Sequence, residues 1–346
     1  MKLKTGFIGF GKSTNRYHLP YVLKRENIEV KKIYNRTRKE ELENKYKDYD
    51  IEFTNDLNSL LEDKEIKLVT ICTPHSTHFE FAKLCLEHNK NVLIEKPFAT
   101  TLEEAKELLN LAKDKGLIIM PYQNRRFDGD FLALKEVINK KYVGDIVEIE
   151  SHFDYYRPES PTYNGKYYDG SFFGLGVHTV DQIVSIFGRP KKVYYDIRAI
   201  RNKNNPDDYY HVELFYDSFK VILKTSHLVK SPYPKFILHG TKGSFIKYGI
   251  DKQEECLKAG IMPWDEGFGL DPEELYGKVT YVDENGQDKE ITIKTPLGDY
   301  GRVYDNLYDA IINGKDKLVK DEEILTVIEI LESGFKGENP KIYKFE

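Results

Sequence analysis

The stretch GFIGFGKST, Gly6 to Thr14, carries glycines, a lysine and two hydroxyl side chains at spacings that bind phosphate in two different ways. Counted from Gly6 it is G-x-x-x-x-G-K-S, the loop that cradles a nucleoside triphosphate in ATPases and GTPases. Counted from Gly9 it is G-x-G-x-x-T, close to the turn that receives the pyrophosphate of a dinucleotide. Both need a buried strand before the glycines and a helix after them. The triphosphate reading leaves only MKLKT for that strand, too short and too polar for the centre of a parallel sheet. It also needs an apolar strand ending in a magnesium-binding Asp, and the best candidate, KLVTICTP from Lys67, ends in Thr-Pro. The dinucleotide reading lets the strand run through Leu3, Gly6, Phe7 and Ile8 and turn at Gly9. Gly11 then lets the backbone approach the pyrophosphate, and the amides of Phe10, Lys12, Ser13 and Thr14 open the helix toward it. Thr14 stands where a third glycine would allow close helix–strand packing, so a looser contact is expected there.

Two further stretches bear on the chemistry. The second apolar run ends KKIYNRTRKEE, with Asn35, Arg36 and Arg38 at its tip and no acid to accept from a ribose 2′-hydroxyl. Two guanidinium groups there can clamp a 2′-phosphate and stack on adenine, which points to NADP ahead of NAD. The stretch NVLIEKPFATT, Asn91 to Thr101, ends a strand in Glu95-Lys96-Pro97 at the sheet edge where such folds bind ligands. Partial burial of Lys96 beside a positively charged nicotinamide would lower its pKa, and it could then exchange a proton with a substrate hydroxyl. The Lys96-Pro97 bond is a candidate cis peptide. Farther on, HFDYYRPESPTYNGKYYDGSFF gathers tyrosines that can pack on sugar C–H groups. Tyr155 is among them, and Arg157 can hold a carboxylate or phosphate.

The elements that position these residues follow from periodicity. Strands are expected at Leu3–Ile8, Glu29–Tyr34, Lys67–Cys72, Asn91–Ile94 and Leu117–Pro121. Helices lie between them, clearest at His78–His88 and Leu102–Lys115, the latter opened by a Thr100/Glu103 capping box. This alternation means a doubly wound parallel sheet, a Rossmann domain over residues 1–124. After roughly Phe127 the pattern turns to longer alternating runs, with a hairpin signal at Asn285-Gly286. Residues 125–346 are therefore expected to form an α+β domain with an open, mainly antiparallel sheet, closed by helices at Arg302–Asn313 and Asp321–Phe335. Its Tyr-, Ile- and Val-rich strands suggest a face that pairs with a second subunit, giving a homodimer or homotetramer.

Composition narrows the classes. At 346 residues two domains are expected, and a net charge of −5 with both signs interspersed carries no nucleic-acid footprint. No long apolar run or N-terminal signal appears, and Cys72, Cys85 and Cys256 have no metal or disulfide spacing. A cytoplasmic protein without a metal site, a membrane partner or a nucleic-acid partner is expected.

Gly9–Thr14, CTPHSTH (Cys72–His78), EKP, YQNRRFD (Tyr122–Asp128) and GLGVHTVDQ (Gly174–Gln182) together resemble the Gfo/Idh/MocA family, the glucose–fructose oxidoreductases, inositol dehydrogenases and rhizopine-catabolism proteins. The resemblance covers essentially the whole chain, in order. It implies hydride transfer between a nicotinamide and a sugar or polyol-like carbon. It implies that Thr73, Pro74, His75 and His78 lie along the cofactor, and that Glu95, Lys96 and Asn124 surround the nicotinamide, Asn124 also reaching substrate. The family pairs its Lys with an Asp-x-x-x-His motif. His178 holds the His position, Gly174 replaces the Asp, and Asp181 matches the family's substrate-contacting acid. Either Lys96 and His178 suffice, or Asp181 or a group such as Tyr155 compensates. A dinucleotide-binding sensor with little turnover is the competing reading that Gly174 motivates.

Overall fold

The computed structural model describes residues 1–340, which form two compact units. The first takes in Met1–Asn124 together with Glu255–Phe268 and Asp299–Ile328, two stretches that the sequence division assigns to the second domain. Its sheet has six parallel strands: β1 (Leu3–Ile8), β2 (Ile28–Tyr34), β3 (Glu52–Thr54), β4 (Leu68–Ile71), β5 (Asn91–Ile94) and β6 (Ile119–Pro121), in the order β3-β2-β1-β4-β5-β6. The order reverses between β1 and β4, which opens a crevice at their carboxyl ends. All four residues of β4 are buried, as in a strand covered on both faces. β3 escapes sequence reading because its three residues, EFT, are too few to show a period.

Local chemistry explains the departures from expectation. The helix after the glycines begins at Lys12, widens to a π-turn over Thr14–His18 and then continues as α-helix, Leu19–Val22. Its wider coil accommodates the β-branched Thr14, whose hydroxyl donates to the Gly9 carbonyl at 2.7 Å. The capping box lies one residue later than expected. Thr101 is the N-cap of Leu102–Asp114 and accepts from the Glu104 amide at 3.2 Å, while the Glu104 carboxylate accepts from the Thr100 amide and hydroxyl at 2.9 and 2.8 Å. The helix Arg302–Asn313 has the expected span, but it belongs to the first unit, where it buries Val303, Tyr304, Leu307 and Ala310.

The second unit is built on an eight-stranded sheet: β7 (Ile146–His152), β8 (Lys192–Arg198), β9 (Tyr209–Phe215), β10 (Lys220–Ser226), β11 (Phe236–Gly240), β12 (Gly243–Lys247), β13 (Gly277–Val282) and β14 (Asp288–Ile293). Its order is β14-β13-β12-β11-β7-β10-β9-β8, and every pair is antiparallel except β7 with β10. The β13–β14 hairpin turns at Gly286, whose φ of +74° needs glycine. One face buries Tyr210, Val212, Leu214, Val221 and Leu223, and Phe131 of the helix Gly129–Asn139 meets Phe236 there, ring to ring at 6.4 Å. The other face is less apolar than its strand composition suggests. Lys220 pairs with Glu213 and Glu148 at 3.1 and 3.4 Å, Lys224 with Glu150 at 3.4 Å, and His211 with Glu213 at 3.1 Å. The period of two sends the aliphatic residues inward and leaves a ladder of ions outward.

Candidate active site

β1 delivers the chain to Gly9, whose φ is +101° and whose added Cβ would lie 2.6 Å from the Cys72 carbonyl oxygen, so only glycine fits. A Cβ on Gly11 would meet nothing within 4 Å, which is the open approach a pyrophosphate requires. The turn is braced from β2: Asn35 Oδ1 accepts from the Phe10 amide at 3.0 Å. Asn35 thus shapes the phosphate turn. Arg36 is exposed beside it, whereas Arg38 is engaged: its Nε donates to both oxygens of the buried Glu43 carboxylate, at 2.9 and 3.1 Å. The Ser13 hydroxyl turns inward to Glu95.

Glu95 follows β5 directly, and its carboxylate is the hub of a buried network. Burial opposes its ionisation, but His18, the neighbouring Lys96 charge and Ser13 outweigh that and hold the carboxyl down to about 2. His18 Nε2 stands 3.0 Å from Glu95 Oε1, and its Nδ1 stands 2.7 Å from the Tyr304 hydroxyl. Burial pushes Tyr304 well above the usual phenol range, so the phenol keeps its proton. The arrangement is consistent with Nε2–H donating to the carboxylate and Nδ1 accepting from Tyr304. The Lys96 amide donates to Glu95 Oε2 at 3.1 Å, which ties the chain direction at Lys96 to this hub. The Lys96-Pro97 peptide is cis. His18 and Tyr304 escape sequence reading, since 286 residues separate them. The only signal for His18 is a histidine about two turns past the glycines.

His78, expected along the cofactor, is fully enclosed instead. Its ring nitrogens face the Pro97 carbonyl at 2.8 Å and the Thr73 carbonyl at 3.0 Å. Burial lowers its pKa, so the neutral ring donates to one of these carbonyls at a time. It braces the loop after β4 against the loop after β5 and presents no atom to a ligand. Thr73 accepts from Thr77 Oγ1 at 2.8 Å, Pro74 is exposed, His75 is half-buried, and Asn124 is buried at the end of the unit's first stretch.

In the second unit a π-turn, Phe172–Gly176, leads into the helix Val177–Phe187, which carries His178 and Asp181. Such turns recur at functional sites. His178 is 5% exposed, and a Cβ on Gly174 would meet nothing within 4 Å. Asp181, expected to contact substrate, is 1% exposed and holds Arg126 in a two-pronged pair: Nε to Oδ2 and Nη2 to Oδ1, both 2.8 Å. Its carboxylate therefore anchors an arginine; the partner lies 55 residues away in sequence. Arg157 is exposed, with its guanidinium 3.8 Å from the centre of the Tyr155 ring. Burial raises the Tyr155 pKa, which leaves it a neutral donor and a stacking surface.

A glycine turn at the topological switch of a parallel sheet, beside a charged strand end, defines a dinucleotide-binding Rossmann protein. Residues 3–123 match the model of an oxidoreductase family's NAD-binding Rossmann fold, and residues 135–341 match that family's C-terminal alpha/beta domain. The chain is 55% identical over 341 residues to the uncharacterized oxidoreductase YhhX of Escherichia coli, covering 98% of each chain. It is 34% identical over 348 residues to IolW of Bacillus subtilis, a scyllo-inositol 2-dehydrogenase (NADP(+)), covering 98% of this chain and 94% of that one. A crystal structure of an oxidoreductase from Bacillus cereus superposes with a TM-score of 0.96 at 56% identity, covering 100% of this chain and 99% of the other. The chain belongs to the Gfo/Idh/MocA oxidoreductase family. No helix among the described residues is long and apolar enough to cross a membrane.

Proposed function

We propose that the chain is an NADP-preferring dehydrogenase acting on the CH–OH group of a sugar or polyol, with inositols the first class to test. The observation that supports this reading is Lys96 at the carboxyl edge of the sheet, its amide donating to the Glu95 carboxylate of the buried Glu95–His18–Tyr304 network. The absence of an acid at the tip of β2 supports NADP, and so does the similarity to IolW, a scyllo-inositol 2-dehydrogenase (NADP(+)). The fit of the site to a dinucleotide rests on the positive φ of Gly9 and the open space over Gly11.

When bound, the dinucleotide supplies the hydride acceptor. Lys96 takes the hydroxyl proton as the carbonyl forms and returns it in the reverse direction. The fixed negative charge of Glu95 compensates the positive charge that Lys96 carries after that transfer. His178 is assigned as the second proton donor on the strength of its motif, with Asn124, Tyr155 and Arg157 as substrate contacts. Asp181 acts through Arg126. The division into a nucleotide domain and a C-terminal substrate domain, and assembly as a dimer or tetramer through the C-terminal sheet, belong to the same proposal. The test is Lys96→Met with NADPH binding measured beside turnover of inositols. We expect kcat to fall at least ~100-fold while NADPH still binds. Full activity in the variant would refute the assignment.

A further inference from the structure

The stretch Glu255–Phe268 lies in sequence between strands of the second unit, yet it packs within the nucleotide unit. Lys24 Nζ donates to the Pro263 carbonyl at 2.8 Å, and Tyr21 meets Phe268 ring to ring at 6.2 Å. Between these anchors, Leu257 and Met262 wall a cleft of about 340 Å³ whose opposite side is the glycine turn. Pro20 and Leu42 extend its apolar lining, and Lys12, Arg16 and Lys39 supply three cations. No carboxylate pairs with any of the three side chains among the described residues. The Lys39 ammonium instead lies 2.8 Å from the Phe10 carbonyl, against the turn itself. Three uncompensated cations around one cleft call for an anion, and they stand between the turn and the residues that follow β2. In this fold the ribose hydroxyls of the adenosine half face the tip of β2. A phosphate on the 2′-oxygen would meet the cations of this cleft. Arg38 is a weaker candidate for it than sequence suggests, because Glu43 already holds its guanidinium.

We infer that Glu255–Phe268 is a strap that completes the nucleotide site, with Leu257 and Met262 closing a cleft in which Lys12, Arg16 and Lys39 receive the adenosine 2′-phosphate. The inference rests on the proposed NADP preference and adds to it the residues and the segment responsible. It makes the selectivity of the nucleotide unit depend on a piece of chain encoded some 240 residues after the turn it covers.

The test uses the full-length protein and two fragments that differ only in that phosphate, adenosine 2′,5′-bisphosphate and AMP, titrated by calorimetry. The wild type should prefer the bisphosphate. Lys39→Ala and Arg16→Ala should each cut that preference about tenfold, the scale of one charge-assisted contact to phosphate. Lys39→Arg should restore most of it, which separates charge from loss of fold. Trp264, the only tryptophan of the chain, sits exposed on the strap, so its fluorescence should shift with the bisphosphate more than with AMP. Met262→Ala should weaken the bisphosphate with no loss of melting temperature. If the preference survives Lys39→Ala and Arg16→Ala but collapses in Arg36→Ala, the cleft is not the phosphate site and the inference fails while NADP preference stands. If the wild type binds both fragments equally, NADP preference itself falls, and the inference with it.

Discussion

Replacing Asp181 with Ala separates an acid that touches substrate from an acid that holds the fold. Its carboxylate and the Arg126 guanidinium are 2% and 7% exposed at the side chain, and two hydrogen bonds of 2.8 Å join them. Removing one partner of such a pair leaves the other charge buried with its main counter-ion gone, at a cost of about 3–5 kcal/mol. For a unit of this size 1 kcal/mol moves the melting temperature by roughly 2–4 °C, so Asp181→Ala should lower it by roughly 6–20 °C. The double variant Asp181→Leu/Arg126→Met removes both charges and keeps most of the volume, so it should recover most of that loss. Calorimetry on the wild type, both single variants and the double variant completes the cycle. A single variant that melts within a degree of the wild type but shows a raised KM would refute the structural role and return Asp181 to the substrate. A double variant no more stable than Asp181→Ala would refute the charge argument.

Glu95 sets a pH dependence of stability. Its folded pKa is depressed to about 2 from an ordinary 4.5, so its contribution is full above pH 4.5 and is lost as pH falls from there toward 2. The stability difference between wild type and Glu95→Gln should therefore shrink over that window; a difference that grows on acidification would refute the stabilisation of the ionised carboxylate by its surroundings. Gly174→Asp should fold with wild-type stability because its Cβ enters open space, and a melting temperature lower by more than a few degrees would show that the position is closed. Light scattering at micromolar concentration should report a dimer or tetramer, and a monomer would remove the C-terminal sheet as an assembly surface.

Much of this protein is legible in its sequence, for a physical reason: buried parallel strands and amphipathic helices write their periods locally. β1 and β5, Leu3–Ile8 and Asn91–Ile94, have the spans that periodicity predicts, and so does the helix Arg302–Asn313. Two local facts exclude a triphosphate loop: MKLKT before Gly6 is too short and polar for a central strand, and the apolar run from Lys67 ends in Thr-Pro instead of Asp. Other features depend on the fold alone. Whether an alternating strand shows an aliphatic or an ionic face is settled by which neighbours it gains, as with Lys220 between Glu213 and Glu148. The role of an acid is settled by what reaches it: Arg126 comes to Asp181 from 55 residues away, and Tyr304 reaches His18 across 286. His78 reads as a ligand contact beside the glycines of its motif, until packing encloses it between two carbonyls. Sequence determined which residues could do chemistry, because side-chain type and strand register are local properties. Tertiary structure decided which of them are occupied in holding one another, because burial and partnership arise only when distant segments meet.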